Sequence, residues 1–309
     1  MRIIFMGTPE FALPSLKALH SSGHIVAAVV CQPDRPKGRG EQLTPPPIKV
    51  TALQLGLQVL QPDRIKDPAF IETLRLLKPD VIVVVAFGRI LPPSILDLPP
   101  RGCINVHASL LPKYRGAAPI QWAVINGETE TGVTTMRLDP GMDTGNILLQ
   151  ERESILSEDT AGSLSIRLAE RGANLLLRTL KEIESEGIVP IPQDHTKATL
   201  APILEKEAGE IDWTLPAAAI SNRVRGLSPW PGAYTFYEDD RWRIWKATTA
   251  EGAAGAKPGT IVKVDREAVS VATGRGVLRV LELQLANGRR MTVREFLAGH
   301  SVKEGIVLG

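Results

Sequence analysis

The stretch Val81–Ala86 reads VIVVVA, and all six of its residues are apolar. A strand with one face in water alternates apolar and polar residues, whereas a strand covered on both faces is apolar throughout. Ile3–Met6 and Val26–Cys31 have the same character, and a helix-like stretch over residues 9–21 separates them. Leu74–Leu77, before the third run, reads as the end of a helix. This alternation predicts a doubly wound α/β domain built on a parallel sheet.

The composition changes after Gly187, because residues 188–202 are rich in Pro, Thr and polar side chains, as linkers are. From Gly259 onward, short alternating segments lie between turns such as Asn287-Gly288, and these segments are Thr260–Val264, Ala268–Thr273, Val277–Gln284 and Met291–Val293. They predict a smaller β-barrel domain. We therefore expect a first domain over residues 1–188, a linker over 189–204 and a second domain over 205–309.

Charge is distributed unevenly along the chain. Residues 1–190 carry 20 Lys and Arg against 20 Asp and Glu, whereas residues 241–309 carry 12 against 6. A basic end of the chain suits a polyanionic partner, although a solvated surface has the same composition. The two cysteines, Cys31 and Cys103, lie far apart and form no CxxC motif, which fits a reducing cytoplasm. The apolar runs are too short for a signal peptide or a membrane span, so no membrane role is expected.

The segment Gly102–Pro112 holds the most informative polar residues. Alternate side chains of a strand share a face, so Ile104 and Val106 should enter a core while Asn105 and His107 project from the other face. Open α/β sheets bind ligands at the carboxyl ends of their strands. An Asn amide can stabilise an oxyanion and a His can exchange a proton near neutral pH. A buried, hydrogen-bonded His–Asn pair explains the same pattern equally well.

The turn Asp139–Gly145 is a second candidate, because glycines on both sides of Asp143 would present its carboxylate at a defined angle. Such a carboxylate could orient His107, although similar turns are common without any function. Between the two segments, Lys113 and Arg115 either contact an anionic substrate or are simply exposed. The chain has no HExxH motif and no Cys/His cluster, so no metal is expected.

A loop rich in Gly and Pro extends over residues 32–49 and carries four cations, Arg35, Lys37, Arg39 and Lys49. It is too long for a plain connection within a sheet, and cationic loops of this kind contact phosphates. A flexible surface loop is the alternative.

Together these segments resemble the folate-dependent formyltransferases. Asn105, His107 and Asp143 match the catalytic Asn–His–Asp set of that family. The resemblance implies a Rossmann-like fold and 10-formyltetrahydrofolate as the formyl donor. It also implies a folate site formed by a signature segment, by the end of the third apolar strand and by the acidic turn, with the residues Ser109, Leu110, Leu111, Pro112, Phe87, Gly88, Arg89, Ile90, Leu91 and Asp139.

Within this family, two features favour the branch that formylates initiator methionyl-tRNA. The loop QPDRPKGRG at residues 32–40 resembles the acceptor-binding loop of that branch, and residues 209–213, 225–232 and 257–261 resemble its OB-like C-terminal domain. The resemblance implies that Arg35, Lys37, Arg39 and Lys49 contact the tRNA, and a monomer is expected. Glu41-Gln42 departs from the two lysines often found there. A soluble amino-sugar nucleotide as the acceptor, and a noncatalytic tRNA-binding protein, remain alternatives.

Overall fold

A computed structural model describes residues 1–37, 42–252 and 255–309 of the chain. These residues form two compact units, which are described separately. The first unit comprises residues 1–119, 130–154 and 165–202, and the second comprises 120–129, 155–164 and 203–309.

A seven-stranded sheet forms the centre of the first unit. In chain order its strands and those of a small ribbon are β1 (Arg2–Gly7), β2 (Ile25–Val30), β3 (Arg35–Lys37), β4 (Gln42–Thr44), β5 (Val59–Leu60), β6 (Val81–Val85), β7 (Cys103–His107), β8 (Glu130–Arg137) and β9 (Ile147–Ser154). The sheet order is β5-β2-β1-β6-β7-β8-β9, and β3 pairs with β4 separately. The first five strands of the sheet are parallel, as predicted.

The last two strands add an antiparallel edge to this mostly parallel sheet, because β8 and β9 are antiparallel to their neighbours. Along β9, buried or half-buried residues alternate with exposed ones over much of its length. An antiparallel edge can leave one face in water, whereas a parallel sheet is normally covered on both faces.

Helices cover both faces of this sheet and explain why its central strands are apolar throughout. In chain order the helices that cover it are α1 (Leu13–His20), α2 (Pro47–Gln54), α3 (Pro68–Leu76), α4 (Pro93–Leu96) and α6 (Ala161–Glu184), whereas α5 (Pro119–Ile125) lies almost wholly in the second unit. Val81, Val83 and Val85 pack in one buried cluster with side chains of α1, α2 and α6. Ile82 and Val84 pack in a second cluster with side chains of α3 and α4. Burial of each such side chain stabilises the fold by about 1.5–3 kcal/mol.

The second unit is built on an antiparallel sheet. Its strands and helices are α7 (Ala217–Gly226), β10 (Ala233–Tyr237), β11 (Asp240–Ala250), β12 (Ile261–Val264), β13 (Val269–Ala272), β14 (Val277–Leu285), β15 (Met291–Thr292) and α8 (Val293–Leu297). The strand order is β10-β11-β14-β13-β12, and β15 pairs with β14. The predicted order of an α/β domain followed by an antiparallel β domain is confirmed.

The longest helix, α6, has 24 residues, but charged side chains recur along it. Among the helices that the structure describes, none is both long enough and apolar enough to span a membrane.

Candidate active site

Strand β7 places its polar residues as the alternation predicts. Ile104 and Val106 belong to the buried cluster of α1, α2 and α6, whereas Cys103 belongs to the cluster on the opposite face of the sheet. On that opposite face Asn105 is half-buried, and only 6% of His107 is exposed. The two polar side chains therefore follow each other along one face of β7.

The imidazole of His107 has a partner at each ring nitrogen. Nε2 lies 2.9 Å from the backbone carbonyl oxygen of Tyr114. A carbonyl only accepts hydrogen bonds, so Nε2 carries a proton and donates it. Nδ1 lies 3.6 Å from Oδ2 of Asp143, a distance typical of an ion pair rather than of a hydrogen bond. Nδ1 is therefore the nitrogen at which His107 can gain or lose a proton.

Asp143 reaches His107 because the loop after β8 folds back along the sheet. β8 ends at Arg137, which pairs with Ile104, whereas Asp143 meets His107 three residues further along β7. At Asp143 the backbone is left-handed, with φ of 54°. Its Oδ2 accepts a hydrogen bond of 2.8 Å from the Gly116 N–H, which fixes the carboxylate beside the imidazole.

The segment after β7 is held by internal hydrogen bonds. The Ser109 hydroxyl donates to the carbonyl of Lys113 at 2.6 Å, and the Thr134 hydroxyl donates to the carbonyl of Ser109 at 2.6 Å. The Leu111 N–H donates to the same Thr134 oxygen at 3.2 Å. The side chains of Ser109 and Leu111 are buried, whereas those of Leu110 and Pro112 are half-exposed.

The segment after β6 combines buried and open positions. Phe87 and Leu91 are buried in the apolar cluster that also contains Cys103, while Ile90 is 69% exposed. Leu138, next to Asp139, packs against the same cluster. Gly88 has a φ of 79°, a conformation that glycine adopts without strain.

Two polar side chains of these segments are tied to the protein itself. The Arg89 guanidinium donates to Gln32 Oε1 at 3.1 Å and to the carbonyls of Pro62 and Asp63 at 3.0 and 2.9 Å. Asp139 Oδ1 accepts from the Gly141 N–H at 3.0 Å and from the Thr144 hydroxyl at 2.6 Å. Both side chains therefore shape their loops, and a ligand there would meet them already oriented.

The cationic loop is described only in part, since Arg39 and the side chain of Lys37 lie outside the described residues. Arg35 is exposed at the start of β3. Lys49 lies in α2 rather than in the expected loop, because Pro47 can begin a helix at its first position. Its Nζ contacts both carboxylate oxygens of Asp34, at 2.9 and 2.8 Å. Hydrogen bonds from Gln61 and then from Lys49 lower the pKa of Asp34.

Potential metal ligands are dispersed. In residues 1–37, 42–252 and 255–309, no group of three or more His, Cys, Asp or Glu side chains is arranged to hold a metal ion.

Several contacts around His107 were not predicted. Arg115 is neither exposed nor free for a substrate, because it is 7% exposed and its guanidinium binds Gln193 Oε1 at 3.1 and 2.6 Å. Gln193 and Thr199 lie in the segment that the sequence presents as a linker. Their partners are 48 or more residues away in the chain, and a single sequence carries no signal for such pairings.

Two family models match the chain, each over one part of it. The model described as "Formyl transferase" matches residues 1–180, and the model described as "Formyl transferase, C-terminal domain" matches residues 203–301. The chain therefore belongs to the formyl transferases. Its doubly wound unit matches the first model, and the antiparallel β unit that follows matches the second.

Full-length relatives narrow the class. The methionyl-tRNA formyltransferase of Caldanaerobacter subterraneus subsp. tengcongensis is 52% identical over 309 residues, and the alignment covers 100% of both chains. That of Desulforamulus reducens is 53% identical over 310 residues, covering 100% of this chain and 98% of the relative. The chain belongs to the methionyl-tRNA formyltransferase family.

Solved structures share the fold at lower identity. WlaRD, described as a sugar 3N-formyl transferase in the presence of dTDP and 5-N-formyl-THF, has a TM-score of 0.68 at 19% identity, covering 94% of this chain and 99% of its own. A methionyl-tRNA formyltransferase from Clostridium thermocellum has a TM-score of 0.55 at 19% identity, covering 80% and 93%. At such identities the likeness concerns the fold alone.

Proposed function

We propose that this chain transfers the formyl group of 10-formyltetrahydrofolate to the α-amino group of methionine on initiator methionyl-tRNA. The observation that carries the proposal is the pairing of His107 with Asp143, 3.6 Å apart, on the strand face that also holds Asn105. The full-length relatives, about half of whose residues are identical to this chain, support the choice of acceptor.

Attack of the amine on the formyl carbon forms the new N–C bond and places negative charge on the formyl oxygen. When this intermediate collapses, the bond between the formyl carbon and N10 breaks, and tetrahydrofolate leaves as N10 gains a proton that the amine nitrogen gives up. In the proposed mechanism the Asn105 amide donates a hydrogen bond to that oxygen. Protonated His107 donates its second hydrogen bond through Nδ1, because Nε2–H is already bound by the Tyr114 carbonyl. Asp143 orients the imidazole and takes up a proton that the attacking ammonium must lose.

The surroundings fit the folate that the family uses. An aromatic pterin needs an apolar support and backbone groups at its edge. Phe87 and Leu91 supply a buried apolar support, which the Leu138 side chain joins just before Asp139. Half-exposed Leu110 and Pro112 extend the apolar surface beside β7. Arg89 and Asp139 would act by holding their loops, since both side chains are already hydrogen-bonded.

For the acceptor, the proposal assigns tRNA contacts to Arg35, Lys37, Arg39 and Lys49 and to the basic residues 241–309 of the second unit. Residues 241–309 carry twice as many Lys and Arg as Asp and Glu, which favours a phosphate backbone. Lys49 would contribute less than the others, because Asp34 neutralises part of its charge at 2.8 Å. We further propose that the chain works in the cytoplasm, in keeping with two free, buried cysteines. We also propose that it works as a monomer.

The test compares three acceptors with the purified full chain and 10-formyltetrahydrofolate. These are initiator methionyl-tRNA, elongator methionyl-tRNA and a deoxythymidine diphosphate amino sugar. Formylation of the initiator well above the other two supports the proposal. Turnover of the amino sugar without formylation of either tRNA would replace it with the soluble-acceptor alternative. Binding of tRNA without any turnover would leave a noncatalytic tRNA-binding protein.

A further inference from the structure

Gln193 lies in a segment that we call the brace, residues 191–201, and its side chain is only 5% exposed. Its Oε1 accepts two hydrogen bonds from Arg115, from Nε at 3.1 Å and from Nη2 at 2.6 Å. Its Nε2 donates to the backbone carbonyls of Asp143 and Gly145, at 2.9 and 2.7 Å. A guanidinium only donates and a carbonyl only accepts, so the orientation of this amide is determined by its partners.

These four bonds join the two segments that set the His107–Asp143 pair. The residue before Arg115 is Tyr114, whose carbonyl receives the Nε2–H of His107. The residue after Arg115 is Gly116, whose N–H holds the Asp143 carboxylate. Gln193 therefore connects the backbone that orients the imidazole to the backbone that carries the carboxylate.

The rest of the brace secures the same segment. The Tyr114 N–H donates to the Thr199 hydroxyl at 2.8 Å, and the Arg115 N–H donates to the Thr199 carbonyl at 2.8 Å. The Ala201 N–H in turn donates to the Arg115 carbonyl at 2.7 Å. Tyr114 and Asp143 both have left-handed backbones, with φ of 61° and 54°. Residues in such conformations persist only where surrounding contacts hold them.

Burial makes these contacts consequential for the site. Arg115 and Gln193 are 7% and 5% exposed, so water cannot readily replace a lost partner. If the Gln193 amide were removed, the Asp143 and Gly145 carbonyls and the Arg115 Nε–H would lose the bonds described above, and Arg115 Nη2 would keep its contact of 3.1 Å with His195 Nδ1. The loop of Asp143 would then move relative to Tyr114 and Gly116. A displacement of about 1 Å in a catalytic group can cost roughly 100-fold in rate.

We propose that Gln193 is a positioning residue for the formyl transfer, acting by locking the Asp143 loop to Arg115 so that His107 and Asp143 stay aligned. This rests on the proposed function. The brace has the composition of a linker, but in this proposal it holds the active site of the first unit in place. All the groups involved belong to that unit.

The first experiment measures steady-state formylation of initiator methionyl-tRNA by full-length Gln193→Leu. We expect kcat to fall roughly 10- to 100-fold, with KM for folate and tRNA changed by less than about threefold. Thr179→Val is the matched control, because it removes a buried hydrogen bond of 2.8 Å to Thr135 in the same unit. That variant should lose stability and keep its kcat.

The second experiment is a double-mutant cycle with Asp143→Asn. It distinguishes a positioning role of Gln193 from a merely structural one. If Gln193 acts through Asp143, adding Gln193→Leu to Asp143→Asn should reduce kcat by less than about threefold. An equal reduction factor in both backgrounds would overturn the proposal. A kcat for Gln193→Leu within twofold of the wild type would also overturn it.

Gln193→Glu keeps the inference testable if Gln193→Leu does not fold. The carboxylate can still accept from Arg115 but has no N–H for the carbonyls of Asp143 and Gly145. We expect a folded protein with the same loss of kcat, and a normal kcat would refute the role. Failure of the wild type to formylate any tRNA would instead refute the proposed function, so the two failures are distinguishable.

Discussion

At the scale of single residues, the decisive feature is how the proton of His107 is placed. The Tyr114 carbonyl accepts a hydrogen bond from Nε2–H and thereby selects the tautomer. Nδ1, which lies beside Asp143, is the ring nitrogen that remains for proton exchange. A single-sequence pattern predicts that Asn105 and His107 share a face, because alternation along a strand is local. It cannot predict the tautomer, which depends on a carbonyl seven residues later in a left-handed turn.

The catalytic assignment predicts the effect of removing either side chain on β7. Asn105→Ala and His107→Ala should each lower kcat on initiator methionyl-tRNA by at least about 100-fold, because each is assigned to the same oxyanion. Circular dichroism and thermal unfolding should show an intact fold for Asn105→Ala, whose side chain is half-buried. Asn105→Asp is the matched control that keeps the shape and removes the donor. Near-normal turnover of Asn105→Ala would contradict its role.

The two thiols should be inert in the native protein. Burial raises the pKa of Cys31 to about 11 and that of Cys103 to about 12, so neither is a thiolate at pH 8. A disulfide reagent such as Ellman's should therefore react with both only after denaturation. Both folded pKa values lie above the ordinary thiol value of 9.0, so the stability contributed by keeping these thiols protonated is complete below about pH 9 and is lost as the pH rises through 11 to 12. Rapid labelling of the native chain at pH 8 would contradict the burial.

At the scale of secondary-structure elements, predictability follows the type of signal. β1, β2 and β6 are recognisable because apolar side chains on both faces of a covered sheet leave continuous apolar runs, and β7 is recognisable because apolar and polar residues alternate along it. The hairpin of β10 and β11 is not, because its turn contains Glu238, with φ of 52°, where the usual signal is Gly or Asn. The brace was interpreted as a linker because its composition is polar, and its hydrogen bonds to Tyr114 and Arg115 are remote in sequence.

The cationic loop carries the next prediction. Arg39→Ala should lower kcat/KM on initiator methionyl-tRNA and leave the dissociation constant of folate unchanged, because the proposed folate segments lie elsewhere. If Arg39 contacts only phosphate, the loss of efficiency should be equal for initiator and elongator tRNA. The slope of log affinity against log salt concentration should then become shallower by about one. If Arg39 reads a base, discrimination between the two tRNAs should also fall.

Lys49→Met, in α2 directly after this loop, is the internal comparison. Its ion pair with Asp34 at 2.8 Å already offsets part of the charge, so the effect on tRNA should be smaller than that of Arg39→Ala. Kinetics on both tRNAs at two salt concentrations distinguish these cases. Unchanged efficiency of Arg39→Ala on both would make the loop plain surface and favour the small-acceptor alternative.

At the scale of the whole molecule, the two units have different sequence signatures and different proposed tasks. The first contains the Asn–His–Asp residues, whereas the second contains the strongly basic residues 241–309. The boundary between them can be located more sharply than composition allows. Residues 191–201 are hydrogen-bonded to the first unit at Ile191, Gln193, Thr199 and Ala201. We therefore propose that the flexible positions lie on either side of the brace, near residues 186–190 and at Ile203.

Limited proteolysis of the native chain with a nonspecific protease tests that boundary. First cuts should fall near residues 186–190 or at Ile203, since Val189 and Ile203 are 77% and 71% exposed, and should spare the brace. A fragment ending at residue 202 keeps Asn105, His107, Asp143 and the brace, so it should still bind folate. It lacks the basic region and should bind tRNA more weakly and with a smaller salt dependence. Mass spectrometry of the first products decides: cuts confined to residues 1–180 would contradict the boundary, and cuts within 191–201 would contradict the hydrogen-bonded brace.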